Sequence, residues 1–272
     1  MNGDQSAHCT GLPVLSLKNI GKRFFARERV INAVEGVSLD VADGEFLTIV
    51  GPSGCGKSTI LNIVSGLMQP SEGTVELDGR IVQGVTRDVG YVTQQHNLMP
   101  WRTLIDNVSF PLQVEGIPKL ERDDRAAKLI ATVGLAGFEK SYPHELSGGM
   151  RQRANIIRTL IYAPKVMLMD EPFGPLDAQT RIILQDQLLD IWSRTRVTII
   201  FITHDLHEAI GLGDRVVLLS KRPGRIIRVD KVVMSRPRDV FRMHDNGDFR
   251  VLYDAIWEEL ERQVRDEKAA MP

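Results

Sequence analysis

A chain of 272 residues with 43% hydrophobic content can bury the core of one large domain or two small ones. Its 34 basic and 35 acidic side chains leave a formal charge of -1, which removes any overall electrostatic drive toward nucleic acid or an anionic membrane surface, so a phosphate-rich partner has to be held locally. Cys9 and Cys55, far apart and without CxxC spacing, exclude a disulfide framework and a zinc site and fit a reducing cytosol.

Residues 1–13 are polar, aperiodic and without an apolar signal core, and are expected to form a flexible tail. The first strand pattern is Val14-Leu15-Ser16-Leu17, and a second around Val37 to Val41 runs into the Asp43-Gly44-Glu45 turn. Phe46-Leu47-Thr48-Ile49-Val50 is a continuous apolar run of the kind found in strands covered on both faces. It ends at a glycine-rich loop from Gly51 to Gly56, after which Lys57 to Val64 has the apolar spacing of a helix. From Asn97 to Ala163 no comparable buried run occurs, and Pro100, Pro111, Pro118 and Pro143 punctuate a mainly helical stretch. Val166 to Met169 and Val197 to Ile202 are two more buried strands with a helical segment, Asp177 to Arg194, between them; this order implies a parallel sheet. After Ser220 come a turn at Arg222-Pro223-Gly224, a short strand from Arg225 to Val233, and a closing helix with Phe249, Leu252, Ile256, Leu260 and Val264 on one face. The expected organisation is a tail at 1–13, a domain over 14–235 with a helical subdomain at 97–163, and a helical extension over 236–272. No apolar run approaches the roughly 18 residues that cross a bilayer, so membrane attachment is expected only through another chain.

Gly51-Pro52-Ser53-Gly54-Cys55-Gly56-Lys57-Ser58 fits the phosphate-binding loop pattern, in which backbone N–H groups wrap phosphate oxygens and the following helix N-terminus adds positive potential. Lys57 supplies a full charge for the β- and γ-phosphates, the Ser58 hydroxyl is the expected Mg²⁺ ligand, and Thr59 is placed to help with the α-phosphate. The strand Val166 to Met169 ends in Asp170-Glu171, where such an enzyme needs a second metal anchor. Asp170 is the metal candidate and Glu171 the candidate for polarising the attacking water. Leu146-Ser147-Gly148-Gly149-Met150-Arg151-Gln152-Arg153 discriminates most: a serine N-cap and two glycines open a helix and make a second anion-binding N-terminus, which most P-loop kinases lack.

With that segment in view, the chain from about Val14 to Ser220 resembles the ATP-binding-cassette family. The resemblance implies an α/β fold: a P-loop NTPase core with a mainly parallel sheet, an N-terminal antiparallel β subdomain and a helical subdomain. It also implies ATPase activity with ATP and Mg²⁺, and a homodimer in which Ser147, Gly148 and Gly149 of one copy close over the triphosphate held by the loop of the other. His204, after Phe201-Ile202-Thr203, matches the family's switch histidine, which contacts the γ-phosphate and the catalytic water. Gln94, after Tyr91-Val92-Thr93, matches the glutamine that senses Mg²⁺ and the γ-phosphate and links the site to a transmembrane partner; Thr93 departs from the aromatic often found there. Gly174-Pro175-Leu176-Asp177 resembles the loop that crosses the dimer interface, with Pro175 in place of a small residue. The Lys22-Arg23-Phe24 spacing marks Phe24 as the residue that stacks on adenine, with Phe25 as the alternative.

Asp170-Glu171-Pro172-Phe173-Gly174, Asp177-Ala178-Gln179-Thr180-Arg181, Arg222-Pro223-Gly224-Arg225-Ile226 and Arg236-Pro237-Arg238 are similar to segments of the nitrate, sulfonate and taurine branch of importers. That likeness implies a subunit at the cytoplasmic face of the inner membrane, peripheral through permease subunits that receive solute from a separate binding protein, and no nucleic acid. The alternative, a soluble cassette ATPase of DNA repair or translation, would use the same nucleotide site but needs coiled-coil insertions, a duplicated cassette or basic patches, none of which is evident. Cys55, inside the phosphate loop beside a helix N-terminus, is expected to be a reactive thiolate that ATP protects.

Overall fold

The computed structural model describes residues 13–26 and 29–269, so the expected tail, apart from Pro13, and the last three residues of the chain lie outside the described residues. In chain order the elements are β1 (Leu15–Ala26), β2 (Arg29–Val41), β3 (Phe46–Val50), α1 (Lys57–Val64), β4 (Glu72–Leu77), β5 (Arg80–Ile81), β6 (Val89–Val92), α2 (Leu104–Val108), α3 (Phe110–Val114) and α4 (Lys119–Thr132). There follow α5 (Gly148–Leu160), β7 (Val166–Asp170), α6 (Ala178–Thr195), β8 (Thr198–Ile202), α7 (Leu206–Leu212), β9 (Arg215–Leu219), β10 (Ile226–Lys231) and α8 (Gly247–Ala269).

Two sheets divide the strands. The larger has the order β10-β9-β3-β8-β7-β6; its pairs are parallel except β10 with β9. All five residues of β3 and of β8 are buried, as a strand covered on both faces requires. The smaller sheet, β2-β1-β4-β5, is antiparallel throughout. Its first two strands run far beyond the apolar stretches that announce them, to 12 and 13 residues, because the ladder from Leu15↔Val41 to Ala26↔Arg29 continues where the side chains are solvated.

One core lies between the two sheets, where Leu15, Leu17 and Ile20 meet Ile60, Leu61 and Val64 of α1 and Ile49, Leu168 and Ile200 of the parallel sheet. The opposite face of that sheet packs Phe46, Met167 and Phe201 against Leu188, Leu189 and Trp192 of α6. The helical stretch has its own core around Leu104, Val108, Leu112, Ile130, Ala154 and Ile157, and this separate burial lets α2 to α5 stand as a subdomain. The C-terminal extension is stitched to the sheet: Phe249 and Ile256 of α8 pack on Leu206, Ile210, Val216 and Leu218. Arg236 Nε donates to Asp214 Oδ1 at 2.8 Å at the start of that extension. The side chain of Val264, expected on the same face of α8, lies outside the described residues.

Candidate active site

Three adjacent strands deliver the site from their carboxyl ends, where ligands enter open α/β sheets. β3 runs into the Gly51–Gly56 loop, β7 ends at Asp170, and β8 leads through Thr203 to His204. Register holds these ends together, since Ile202 of β8 lies opposite both Ile49 of β3 and Asp170 of β7.

The loop depends on glycine at its last position. Gly56 has a φ of 108°, and an added Cβ would stand 2.8 Å from the Ala33 carbonyl oxygen. Lys57 is buried, and its ammonium donates to the loop carbonyls of Gly51 and Pro52 at 2.8 and 3.0 Å. Beside it opens a cavity of about 470 Å³ lined by Ser53, Gly54, Gly56, Lys57, Ser58, Thr59, Phe24 and Glu171, joined by Ile31, Ala33 and Arg222. Strand alternation separates the two phenylalanines: Phe24 faces this cavity, whereas Phe25 is 82% exposed and absent from its wall.

Ser58 Oγ donates to Asp170 Oδ1 at 3.1 Å, and Tyr91 donates to Asp170 Oδ2 at 3.4 Å. Burial pushes the Asp170 carboxyl up, while the Ser58 and Tyr91 hydroxyls act in the other direction. Among the described residues no cluster of three or more His, Cys, Asp or Glu could hold a metal. What Ser58 and Asp170 offer is a hydroxyl and a carboxylate on one side, hard oxygens that leave the other positions of an octahedral shell to water and phosphate; this suits Mg²⁺.

Glu171 stands one residue past the end of β7 at a φ of 44°, a left-handed conformation uncommon for a residue with a side chain. Its N–H donates to the Ile202 carbonyl at 3.0 Å, which fixes the turn, and its carboxylate Oε2 lies 3.0 Å from His204 Nδ1. The turn presents the acid to the cavity and to the histidine at once. His204 itself is not part of the cavity wall.

The remaining predicted residues lie apart from that cavity in a single copy. Gln94 lines a neighbouring cavity of about 430 Å³ with Gly148, Gln152, Pro172 and Pro175. Its segment is tied to α5, because Arg158 donates to the carbonyls of Asn97 and His96 at 2.8 and 3.1 Å. Ser147 caps α5, accepting from the Met150 N–H at 3.2 Å, and Gly149 lets that helix approach Thr180 of α6. Asp177 is the N-cap of α6 and accepts from Thr180 N–H at 3.0 Å, which holds its carboxyl below the usual range. None of Ser147, Gly148, Gly149 or Asp177 touches the first cavity.

Cys55 is a correction. Its side chain is 1% exposed, within the core between the sheets, and burial pushes the thiol up against the opposing pull of Lys57. The loop uses its backbone and hides its sulfur. Alkylation of Cys55 in the folded protein is therefore expected to be slower than that of a free thiol by about 100-fold or more, with or without ATP. Intact-mass kinetics with a maleimide check this; fast labelling that ATP suppresses would restore the reactive thiolate.

The sequence places Arg222 in a turn and in a segment similar to the importer branch, and gives no site role to it or to Ile31, Ala33 and Tyr91. The Arg222 loop reaches the site because Gly224 donates to Ala33 O at 2.9 Å and a Cβ there would stand 2.1 Å from Cys55 O, so glycine permits the loop to lie on the phosphate loop. A basic residue beside a Pro-Gly turn was the only local signal of it.

The ABC transporter family profile matches residues 34–174. An uncharacterized ABC transporter ATP-binding protein of Methanocaldococcus jannaschii is 52% identical over 225 residues, which are 83% of this chain and 84% of the relative. The aliphatic sulfonates import ATP-binding protein of Bacillus subtilis is 42% identical over 89% of this chain and 92% of its own length. The nitrate import ATP-binding protein of Synechocystis sp. is 44% identical over 79% and 80%. A dimeric post-hydrolysis state of an ATP-binding cassette bound to ADP and Pi superposes with a TM-score of 0.72 at 33% identity, covering 81% of this chain and 100% of that one. A family match over half of the chain, with relatives this similar along most of it, makes the chain a member of the ABC transporter family, an ATP-hydrolysing cassette.

Proposed function

We propose that this chain is the nucleotide-binding subunit of an importer for nitrate, an aliphatic sulfonate, taurine or a related small solute, acting as a homodimer at the cytoplasmic face of the inner membrane. The observation that carries the motor reading is the Glu171–His204 pair, 3.0 Å apart at the end of the sheet beside the phosphate loop. The sulfonate and nitrate import relatives support the transport branch.

The loop N–H groups and Lys57 bind the triphosphate, Thr59 helps with the α-phosphate, and Phe24 stacks on the base. Mg²⁺ held by Ser58 and Asp170, with Gln94 reaching it on closure, would neutralise developing charge on the transferred phosphoryl group. Glu171 accepts the proton of the attacking water, and His204 orients that acid through Nδ1. Ser147, Gly148 and Gly149 of the second copy complete the phosphate cage, and Asp177 lies at the crossing between copies. This division explains why these residues stand clear of the cavity in one copy.

No helix among the described residues is long and apolar enough to cross a membrane. The helical subdomain instead exposes Trp101 at 73% and Leu120 at 86%, apolar surface that suits a permease contact. Solute choice then rests with the permease and a solute-binding protein. The test is solute uptake in a strain lacking this gene. Loss of nitrate, sulfonate or taurine uptake, restored by the wild-type gene, is expected; unchanged uptake of all three would overturn the assignment to these solutes.

A further inference from the structure

Behind the switch histidine lies a polar network that the hydrolysis chemistry does not use. Glu208 of α7 is 5% exposed, yet it is a carboxylate. Its Oε2 accepts from the Thr203 hydroxyl at 2.5 Å and its Oε1 from Gln185 Nε2 at 3.0 Å. The Thr203 hydroxyl also accepts from Asp205 N–H at 3.0 Å. Both residues flanking His204 are thus tied to this network, while the imidazole itself is 59% exposed and is held by Glu171. The backbone, gripped on both sides, sets where that ring stands.

Arg181 of α6 extends the network to the segment read as crossing between copies. Its Nη2 donates to the Leu176 carbonyl at 3.1 Å, its Nη1 lies 3.6 Å from Asp205 Oδ2, and its Nε lies 3.8 Å from Glu208 Oε1. Among the described residues that buried Nε has no hydrogen-bond partner. Burying a carboxylate and leaving a guanidinium N–H unpaired both destabilise a fold, and an apolar filling would avoid both. The slack has a direction: a movement of about 1 Å would turn the 3.8 Å approach into a charge-assisted hydrogen bond.

We propose that Arg181 and Glu208 form a relay from the Gly174–Asp177 segment to His204, making Glu208 a positioning residue for ATP hydrolysis. When a second copy presses on that segment, the Leu176 carbonyl shifts Arg181, and Glu208 carries the shift to Thr203 and the histidine. Hydrolysis is thereby favoured in the closed dimer. The relay rests on the reading of Glu171 and His204 given above.

Steady-state ATPase kinetics, normalised to nucleotide-binding sites, test it. Glu208→Ala and Arg181→Ala are each expected to lower kcat by about ten-fold with KM for ATP within about two-fold, and the double variant to be no slower than the worse single one. Glu208→Gln, which can still accept from Thr203 but turns an N–H₂ group toward Arg181 and Gln185, should keep the fold and recover only part of the rate. Thr203→Val gives the same loss without emptying the core, and stands in should Glu208→Ala not fold. Normal kcat per site in Glu208→Ala or Thr203→Val, or additive losses in the double variant, would overturn the relay. His204→Ala runs in parallel: a wild-type rate there defeats the underlying reading, whereas an inactive His204→Ala beside a fully active Glu208→Ala defeats the relay alone.

Discussion

Glu171→Gln is expected to bind ATP within about two-fold of the wild type and to hydrolyse it about 10²- to 10⁴-fold more slowly, the range associated with removing a positioned general base. The amide has the shape of the carboxylate and can still meet His204 Nδ1, so the turn at φ 44° and the geometry at 3.0 Å are preserved. What it loses is basicity. The groups proposed to hold the phosphates, Lys57 and the loop N–H donors, are untouched, so affinity should hold. Binding without turnover traps the closed state, and the variant should form ATP-dependent dimers that scattering in solution detects. A wild-type rate would remove Glu171 from the chemistry, and monomers at saturating ATP with the membrane subunits present would remove the sandwich.

The parts of this protein most legible in its sequence are those where one chemistry dictates the residues. The phosphate loop shows because glycine is needed where a Cβ would strike Ala33, and β3, β7 and β8 show because strands buried on both faces are apolar throughout. The smaller sheet is less visible. β4 buries only Val75 and Leu77 of its six residues, and β5 has two exposed residues, so neither makes a run. The far ends of β1 and β2 are held by backbone pairing while Phe24, Phe25 and Val30 stay exposed, which leaves no burial pattern to read. At the site, placement on strand ends was readable, but Arg222 and the Arg181–Glu208 network depend on distant contacts, such as Gln185 with Glu208 across 23 residues, that no local spacing encodes. Cys55 shows the opposite failure. The helix N-terminus suggested a reactive thiol, and tertiary burial between the sheets overrode that local field.

Lys57→Ala separates from Glu171→Gln by losing binding as well as turnover. Lys57 is 6% exposed and its ammonium is satisfied by the Gly51 and Pro52 carbonyls, so it is stored inside its own loop. Turning to a triphosphate exchanges neutral acceptors for anionic ones, and such charge-assisted bonds are roughly twice as strong. Alanine removes that gain and also leaves two loop carbonyls without their donor. Truncating one partner of a buried charge pair costs about 2 to 5 kcal/mol, so ATP affinity should fall by about 30-fold to several thousand-fold. Calorimetric titration with ATP reads this directly, and a thermal melt without nucleotide shows whether the cassette is still folded. Arginine should not substitute well, because a bulkier, rigid planar guanidinium cannot curl onto the loop as the compact ammonium on its flexible four-carbon stem does. If folded Lys57→Ala bound ATP as tightly as the wild type, the triphosphate would have to be held elsewhere, and the assignments of Ser58, Thr59 and Asp170 would fall with that of the lysine.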